Sequence, residues 1–331
     1  MNVLYTCDNN YVWLMGISAI SLFENNKELD NITVYLLGEN ISDKNKRILI
    51  DIGKKYKRNI FVIDVPKMDI PRALVSSRWP LSAFTRLYAG KLLPDSIDKI
   101  LYLDCDTIIK GSLSDIEKWD VSGKVFWGVK DCIGKEYKKN IGIDPYGVYV
   151  NAGVLLCNLS ELRKISINDK LNLYMKKYER LINYADQDIL NGAFNGAIGI
   201  LPPQYNVMTI VASYSYTDII KLRNPTSYYS KSELNEAVHN PILIHYTTNM
   251  RTVRPWYSNT DHPFANEFRF YFNRSPWENR RFSEMRFTSI ESKIIGTIEI
   301  LPCSLAKLIL GILHSSIKPR VTRLKAWKME K

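Results

Sequence analysis

The sequence predicts an α/β protein with a doubly wound sheet, helices on both faces, and a ligand site at the sheet's carboxyl edge. Three observations predict it. Strand and helix patterns alternate as β-α-β-α-β over the first 65 residues, an apolar strand stops abruptly at Asp104-Cys105-Asp106, and a second such strand ends in His245. The 331 residues are 46% apolar and 24% charged, which excludes global disorder and supplies a core for one main domain.

Taken in order, Val3-Leu4-Tyr5-Thr6 reads as a short buried strand and Cys7-Asp8-Asn9-Asn10 as the loop after it. Residues 11–23 space Trp13, Leu14, Ile17 and Ile20 like one apolar helix face. Residues 31–37 form a second strand, Ser42 caps a helix with Ile48, Leu49 and Ile52 on one side, and residues 59–65 form a third strand. Beyond an irregular stretch, a helix is predicted over 83–93 and a strand over 99–103. Strands follow at 125–129 and 148–158, then a long Lys/Tyr-rich helix from Ser160 and another over 186–194. Pro202-Pro203 ends a strand, and residues 241–245 make the last buried one. There is no internal repeat or low-complexity linker, so the expected division is a body over 1–275 and a tail over 276–331.

Lys and Arg outnumber Asp and Glu by 45 to 34, and +5 of the resulting +11 lies in the last eighteen residues. With Leu305, Leu308, Ile309, Ile312 and Trp327, that basic end suits an anionic membrane surface, or else is a solvated extension or one that folds onto the body. Nucleic acid would explain the charge but none of the acidic motifs. The most apolar run, 294–313, is broken by Glu299, Pro302 and Lys307, so no membrane span is predicted. Five widely spaced cysteines without a CxxC argue against a disulfide framework or a zinc site, and the start at Met1-Asn2-Val3-Leu4-Tyr5 has no basic leader. A cytoplasmic location is expected.

Asp104 and Asp106, two apart where a strand runs out, point to one side in extended geometry and can share a cation. Two oxygen ligands suit Mg²⁺ or Mn²⁺ bridging to a diphosphate. The same spacing recurs at Asp186-Gln187-Asp188, where a helix N-terminus would account for both acids. His245 is either a third ligand or a satisfied core histidine. Arg86, among apolar neighbours, needs a phosphate or an Asp as partner. Asp8 and Asn10 are placed to bind a base or ribose with Tyr11 stacking, or are ordinary turn residues. Asn151-Ala152-Gly153 interrupts a strand, offering close backbone approach to a polyhydroxylated ligand or marking a β-bulge.

Together these segments resemble the family 8 glycosyltransferases, the glycogenin-like group with a GT-A fold, and most closely its bacterial lipooligosaccharide galactosyltransferase branch. The resemblance spans about residues 1–277 and rests on Tyr5-Thr6-Cys7-Asp8-Asn9-Asn10-Tyr11, Arg86, Ile100 to Asp106, Asn151-Ala152-Gly153-Val154-Leu155, Asp186 to Asn191, His245-Tyr246 and Arg254-Pro255-Trp256. It implies a mixed, Rossmann-like sheet with a basic C-terminal extension. It also implies a UDP-hexose donor, with the uridine around Thr6, Cys7, Asp8, Asn10 and Tyr11, and Mn²⁺ or Mg²⁺ on Asp104, Asp106 and His245, with Cys105 between the acids. Arg86, Asn151, Ala152, Asp186, Gln187 and Asp188 would surround the sugar, and Asp131 would contact donor or acceptor.

The family's His-x-x-Gly-x-x-Lys-Pro-Trp is here His245 to Trp256, three residues longer, without the glycine, and with Arg254 for the lysine. Arg254 or Arg251 would then neutralise the phosphate. Family members retain anomeric configuration, and the position a nucleophilic carboxylate would occupy matches Gln187. Same-face attack is therefore expected, with Gln187 stabilising the sugar centre and Asp188 as a fallback nucleophile. The implied acceptor is a saccharide, glycolipid or glycoprotein of the cell envelope, shaped in part by residues 205–235, with the enzyme at the inner face of the cytoplasmic membrane. Two alternatives stand beside this: a haloacid-dehalogenase-type phosphohydrolase using Asp104 in Leu103-Asp104-Cys105-Asp106-Thr107, and a non-catalytic membrane-surface binding protein.

Overall fold

A computed structural model describes residues 1–66, 68, 70–71, 74–75, 80–249, 252–287 and 289–328. Its strands are β1 (Asn2–Asp8), β2 (Thr33–Glu39), β3 (Asn59–Asp64), β4 (Lys99–Leu103), β5 (Thr107–Ile109), β6 (Phe126–Lys130), β7 (Val150–Asn158), β8 (Ile198–Ile200), β9 (Val207–Met208) and β10 (Leu243–His245). Seven form one sheet in the order β3-β2-β1-β4-β7-β6-β8, and β5-β10-β9 form a second. The large sheet is mixed: β3, β2, β1 and β4 run parallel, while β7 is antiparallel to both β4 and β6.

Alternation along the strands divides the core between the two faces of this sheet. Leu101 and Leu103 of β4 join Val3 and Tyr5 of β1 under the helix Val12–Glu24. Ile100 and Tyr102 join Leu4 on the opposite face with Phe84, Leu87 and Leu155. Each fully buried Leu, Ile or Phe contributes about 1.5–3 kcal/mol through the hydrophobic effect, so both faces hold β4 in place and fix where its end projects.

Several elements match the sequence reading in place but not in detail. Ser42 caps the helix Asp43–Lys55 by accepting from the Asn45 amide. The helix expected over 83–93 is broken into Leu81–Phe84, a 3₁₀ turn Thr85–Tyr88 and Ala89–Leu92. The long helix expected from Ser160 is two, Leu159–Arg163 and Ile167–Tyr178, the first capped by Asn158 accepting from the Glu161 amide. Asn151-Ala152-Gly153 lies inside β7, which runs on as one strand, but it carries the bulge expected as the alternative: between the pairs Gly128–Leu155 and Lys130–Val150, two steps along β6 face five along β7.

The C-terminal segment folds back onto the body as helices Ile290–Ile298, Cys303–Ile312 and Lys318–Lys328, with a π-helical turn Leu313–Ile317. Gly311 packs so closely on helix Tyr216–Arg223 that an added Cβ would lie 1.9 Å from the Lys221 carbonyl oxygen. Lys307 pairs with Asp218 at 2.8 Å, and Arg323 reaches Glu136 at 3.2 Å. Ala306, Leu310 and Gly311 face inward while Leu305, Leu308 and Ile312 face solvent. Among the described residues, no helix is long and apolar enough to cross a membrane.

Candidate active site

At Leu103 the chain leaves the large sheet, and residues 104–106 turn it into β5 of the small one. The extended geometry expected at Asp104 and Asp106 is therefore replaced by a turn. It is pinned by the Asp104 amide donating to Gly153 O (2.7 Å) and Thr107 Oγ1 donating to Asp104 O (2.8 Å). β10 pairs antiparallel with β5 and sets His245 opposite Thr107, which delivers the imidazole beside both acids. Nε2 lies 3.3 Å from Asp106 Oδ1 and 3.5 Å from Asp104 Oδ2.

The three residues present ligand atoms within 4.8 Å of one another. The ring's Nδ1 is 3.0 Å from Asn206 Oδ1, so the acceptor expected for the second nitrogen is present and leaves Nε2 facing the carboxylates. Burial by itself lowers the imidazole's pKa, but Asp104 and Asp106 pull it up to about 9. The same two carboxylates that hold a proton there fit a hard divalent cation, which would displace it. Gly153 is required beside them: an added Cβ would lie 2.1 Å from His245 Cε1 and 2.8 Å from Asp104 Oδ2.

Arg86 finds acids as partners. Its guanidinium contacts Asp104 Oδ1 at 2.8 Å and Asp186 Oδ2 at 3.1 Å, donates to Ala83 O and Ala152 O, and stacks over the Tyr102 ring at 4.2 Å. Tyr102 Oη donates in turn to Asp104 Oδ1 at 2.6 Å. Burial opposes ionisation of Asp104, yet Arg86 and His245 hold its carboxyl well below the usual range. Burial pushes Asp186 the other way, up to about 7, despite Arg86. Ala185, in front of it, turns the chain into helix Ala185–Ala193 at φ 42°, a left-handed conformation that costs a non-glycine residue about 1 kcal/mol or more.

Gln187 sits at the centre of a hydrogen-bond net. Nε2 donates to Asp131 Oδ2 and Tyr149 Oη, both 3.1 Å, while Oε1 accepts from Asn151 Nδ2 (3.0 Å) and the Ala152 amide (3.1 Å). Asn151 Oδ1 accepts from Asn206 Nδ2 at 2.9 Å, joining this net to His245. Asp188, expected as a fallback nucleophile, is corrected. It is fully buried, and it accepts from Tyr137 Oη (2.5 Å), Tyr149 Oη (2.6 Å) and the amides of Asn183 and Tyr184 (both 2.8 Å). It does not line the cleft.

That cleft has a volume of about 410 Å³. It is lined by Thr6, Cys7, Asp8 and Tyr11 from the end of β1 and the turn after it, by Asp104, Cys105, Asp106, His245 and Arg254, and by Arg86, Asp131, Asn151, Ala152, Asp186 and Gln187. Thr6 Oγ1 touches Tyr102 Oη at 3.2 Å, and Cys105 Sγ donates to Thr6 O at 3.6 Å. Asn10 stays outside, its amide and side chain both donating to Asp8 in a local turn. Arg254 NH1 stands 3.8 Å from Asp106 Oδ2 with its guanidinium over Trp256; Arg251 lies outside the described residues.

Sequence reasoning missed Asn206, Tyr102 and Tyr149, which orient the residues it found. Only Tyr102, two positions before Asp104 on the same strand, carried a signal. It also missed Arg223 and Asn249, which line the cleft as well.

The comparisons agree with this geometry. The chain is 30% identical over 286 residues to a lipopolysaccharide 1,2-glucosyltransferase of Escherichia coli, covering 84% of this chain and 79% of that one. It is 25% identical over 280 residues to general stress protein A of Bacillus subtilis, covering 84% and 94%. Its fold is shared with a solved galactosyltransferase, LgtC, in complex with donor and acceptor sugar analogues, at a TM-score of 0.69 and 23% identity over 83% of this chain and 96% of that one. The expected GT-A architecture is thus present, and a family model described as Glycosyl transferase family 8 matches residues 2–260, from β1 through Arg254. The residues that converge on the cleft therefore come from the matched segment, and the chain belongs to glycosyl transferase family 8, a glycosyltransferase.

Proposed function

We propose that this glycosyltransferase moves galactose or glucose from a UDP-sugar, with retention of configuration, to a cell-envelope glycan. The observation that carries the reading is the convergence of Asp104, Asp106 and His245 within 4.8 Å, beside Arg254 and the buried Arg86. Uridine would lie along Thr6, Cys7 and Asp8 with Tyr11 stacking. A divalent cation, Mn²⁺ or Mg²⁺, held by Asp104, Asp106 and His245 would supply electrostatic stabilisation of the departing diphosphate. Arg254 adds positive charge on the same side.

Arg86, fixed by Asp104 and Asp186, orients the carboxylates around the sugar rather than serving as a free cation. Gln187, held at both ends of its amide, keeps a polar edge in the sugar space without being a nucleophile. With Asp188 out of reach, no carboxylate of that helix is placed to form a glycosyl-enzyme bond except Asp186, which Arg86 engages. This supports same-face transfer: the bond from the anomeric carbon to the UDP oxygen breaks, the acceptor oxygen bonds to that carbon, and the acceptor's proton passes to the departing phosphate. Exposed Leu305, Leu308, Ile312 and Trp327 among the tail's cations support a body over 1–275 working peripherally at the inner face of the cytoplasmic membrane, on a lipid-linked or membrane-near acceptor.

The test is UDP release from a panel of UDP-sugars, with Mn²⁺ and with EDTA, for wild type and Asp106→Ala. Metal-dependent turnover of one donor, lost in the variant, is the expected result. Turnover that EDTA and the substitution both leave intact would overturn it.

A further inference from the structure

The cleft holds a cation that the donor site does not use. Arg223 ends helix Tyr216–Arg223, and among the described residues no carboxylate lies within ion-pair distance of it. One guanidinium nitrogen contacts His314 Nε2 and another donates to Asn249 Oδ1 at 3.0 Å. Its Nε is buried with no hydrogen-bond partner, and so is Nδ2 of Asn249, a residue 97% buried. A partly buried cation and two donors without acceptors make a costly arrangement unless a ligand completes it.

The neighbours show which ligand faces it. Arg223 lines the cleft with Cys132 and Tyr184, and Tyr184 O accepts from the Gln187 amide one helical turn on. Asp131, next to Cys132, accepts from Gln187 Nε2. Arg223 therefore borders the part of the cleft next to Gln187 and Asp131, whereas Tyr11 is flanked by Asp8, Asp106 and Arg254. The C-terminal segment holds the corner in place. Gly311 packs against the Lys221 carbonyl, and His314 accepts from Arg223 as a neutral ring, burial and the guanidinium's charge together pushing its pKa down to about 3.

We propose that Arg223 and Asn249 form an acceptor subsite for an oxyanion, a phosphate or carboxylate group carried by the glycan that receives the sugar. This rests on the transferase reading above. A planar guanidinium with an amide donor beside it is suited to a two-oxygen group, and among the described residues no acid pairs with it. The acceptor is thus an acidic or phosphorylated sugar, distinguished from a neutral one by this corner.

NMR titrations of glucose, glucose 6-phosphate and glucuronate into protein saturated with UDP and Mn²⁺ test the proposal without turnover. Wild type should bind one or both anionic sugars about tenfold or more tighter than glucose, and the stronger of the two names the anion. Arg223→Gln should erase that preference. If it fails to fold, Arg223→Lys replaces it, with a loss of about threefold or more expected because a lysine lacks the fork. Equal binding of all three sugars by wild type, or an unchanged preference in the variant, would overturn the subsite. UDP affinity with and without Mn²⁺, measured on the same samples, separates this from failure of the donor reading: lost UDP binding condemns the donor site, while intact UDP binding with no anion preference condemns only the subsite.

Discussion

The chain carries the Asp-x-Asp spacing twice, and the two copies do opposite things. At Asp104-Cys105-Asp106 a turn between two sheets brings both carboxylates to one point with His245. At Asp186-Gln187-Asp188 the same spacing lies in the first turn of helix Ala185–Ala193, where residues two apart diverge by about 200°. Asp186 turns to Arg86, Asp188 turns into the core, and Gln187 between them is left facing the cleft. The first pair is gathered where one cation can offset both charges; the second is split, Asp186 offset by Arg86 and Asp188 by buried hydroxyl and amide donors. Spacing alone therefore does not define a metal motif; the backbone on which it sits does.

The contrast is sharpest when one acid of each pair is removed. Asp106→Ala should lower metal-dependent turnover by about three orders of magnitude, since metal-ion stabilisation of a departing diphosphate is worth several kcal/mol. Its thermal midpoint should barely move. Asp188→Ala should do the reverse. Two tyrosine hydroxyls and two amides lose a buried acceptor, costing about 3 kcal/mol of stability, which calorimetry would read as a midpoint lower by about 4 °C in a chain of this length. UDP affinity of the folded variant should match wild type. A stable Asp188→Ala protein with abolished turnover would return Asp188 to the chemistry and break the comparison.

Between the two acids, Gln187→Ala should leave UDP affinity nearly unchanged and cut turnover about a hundredfold, on the scale of losing one positioned polar group at a reacting centre. Unchanged turnover would mean that the amide serves only to fix Asn151 and Asp131.

How much of this was legible follows from the range of the interactions. The alternation of elements, the strand stopping at Asp104 and the histidine ending β10 are local patterns, and they located the sheet edge and the three converging residues. The reason for convergence was not local. Nothing around residue 104 says that the chain changes sheets there, and the pairing of β5 with β10 joins residues more than 130 positions apart. Asp188 was misread for the same reason: Tyr137 and Tyr149, which claim its oxygens, are 51 and 39 residues away. Arg86 was open between phosphate and Asp because its two acids arrive from separate elements.

Asn206 is the most thoroughly hidden of these residues, an asparagine after a 3₁₀ turn at Pro203–Tyr205 with no motif around it. Yet its Oδ1 faces His245 Nδ1 and its Nδ2 reaches Asn151, so one amide fixes the imidazole and ties it to the net around Gln187. Asn206→Ala keeps all three carboxylate and imidazole ligands but frees the ring to turn. Mn²⁺ affinity, followed by electron paramagnetic resonance, should fall about tenfold, at the lower end of what loss of such a support costs. Turnover at saturating Mn²⁺ should recover most of its wild-type value, because Asp104, Asp106 and Nε2 are all still present. A loss that saturating metal does not restore would show that Asn206 acts through Asn151 and Gln187 on the sugar rather than through His245 on the cation. That outcome would make the two halves of the cleft one hydrogen-bonded unit rather than two neighbouring sites.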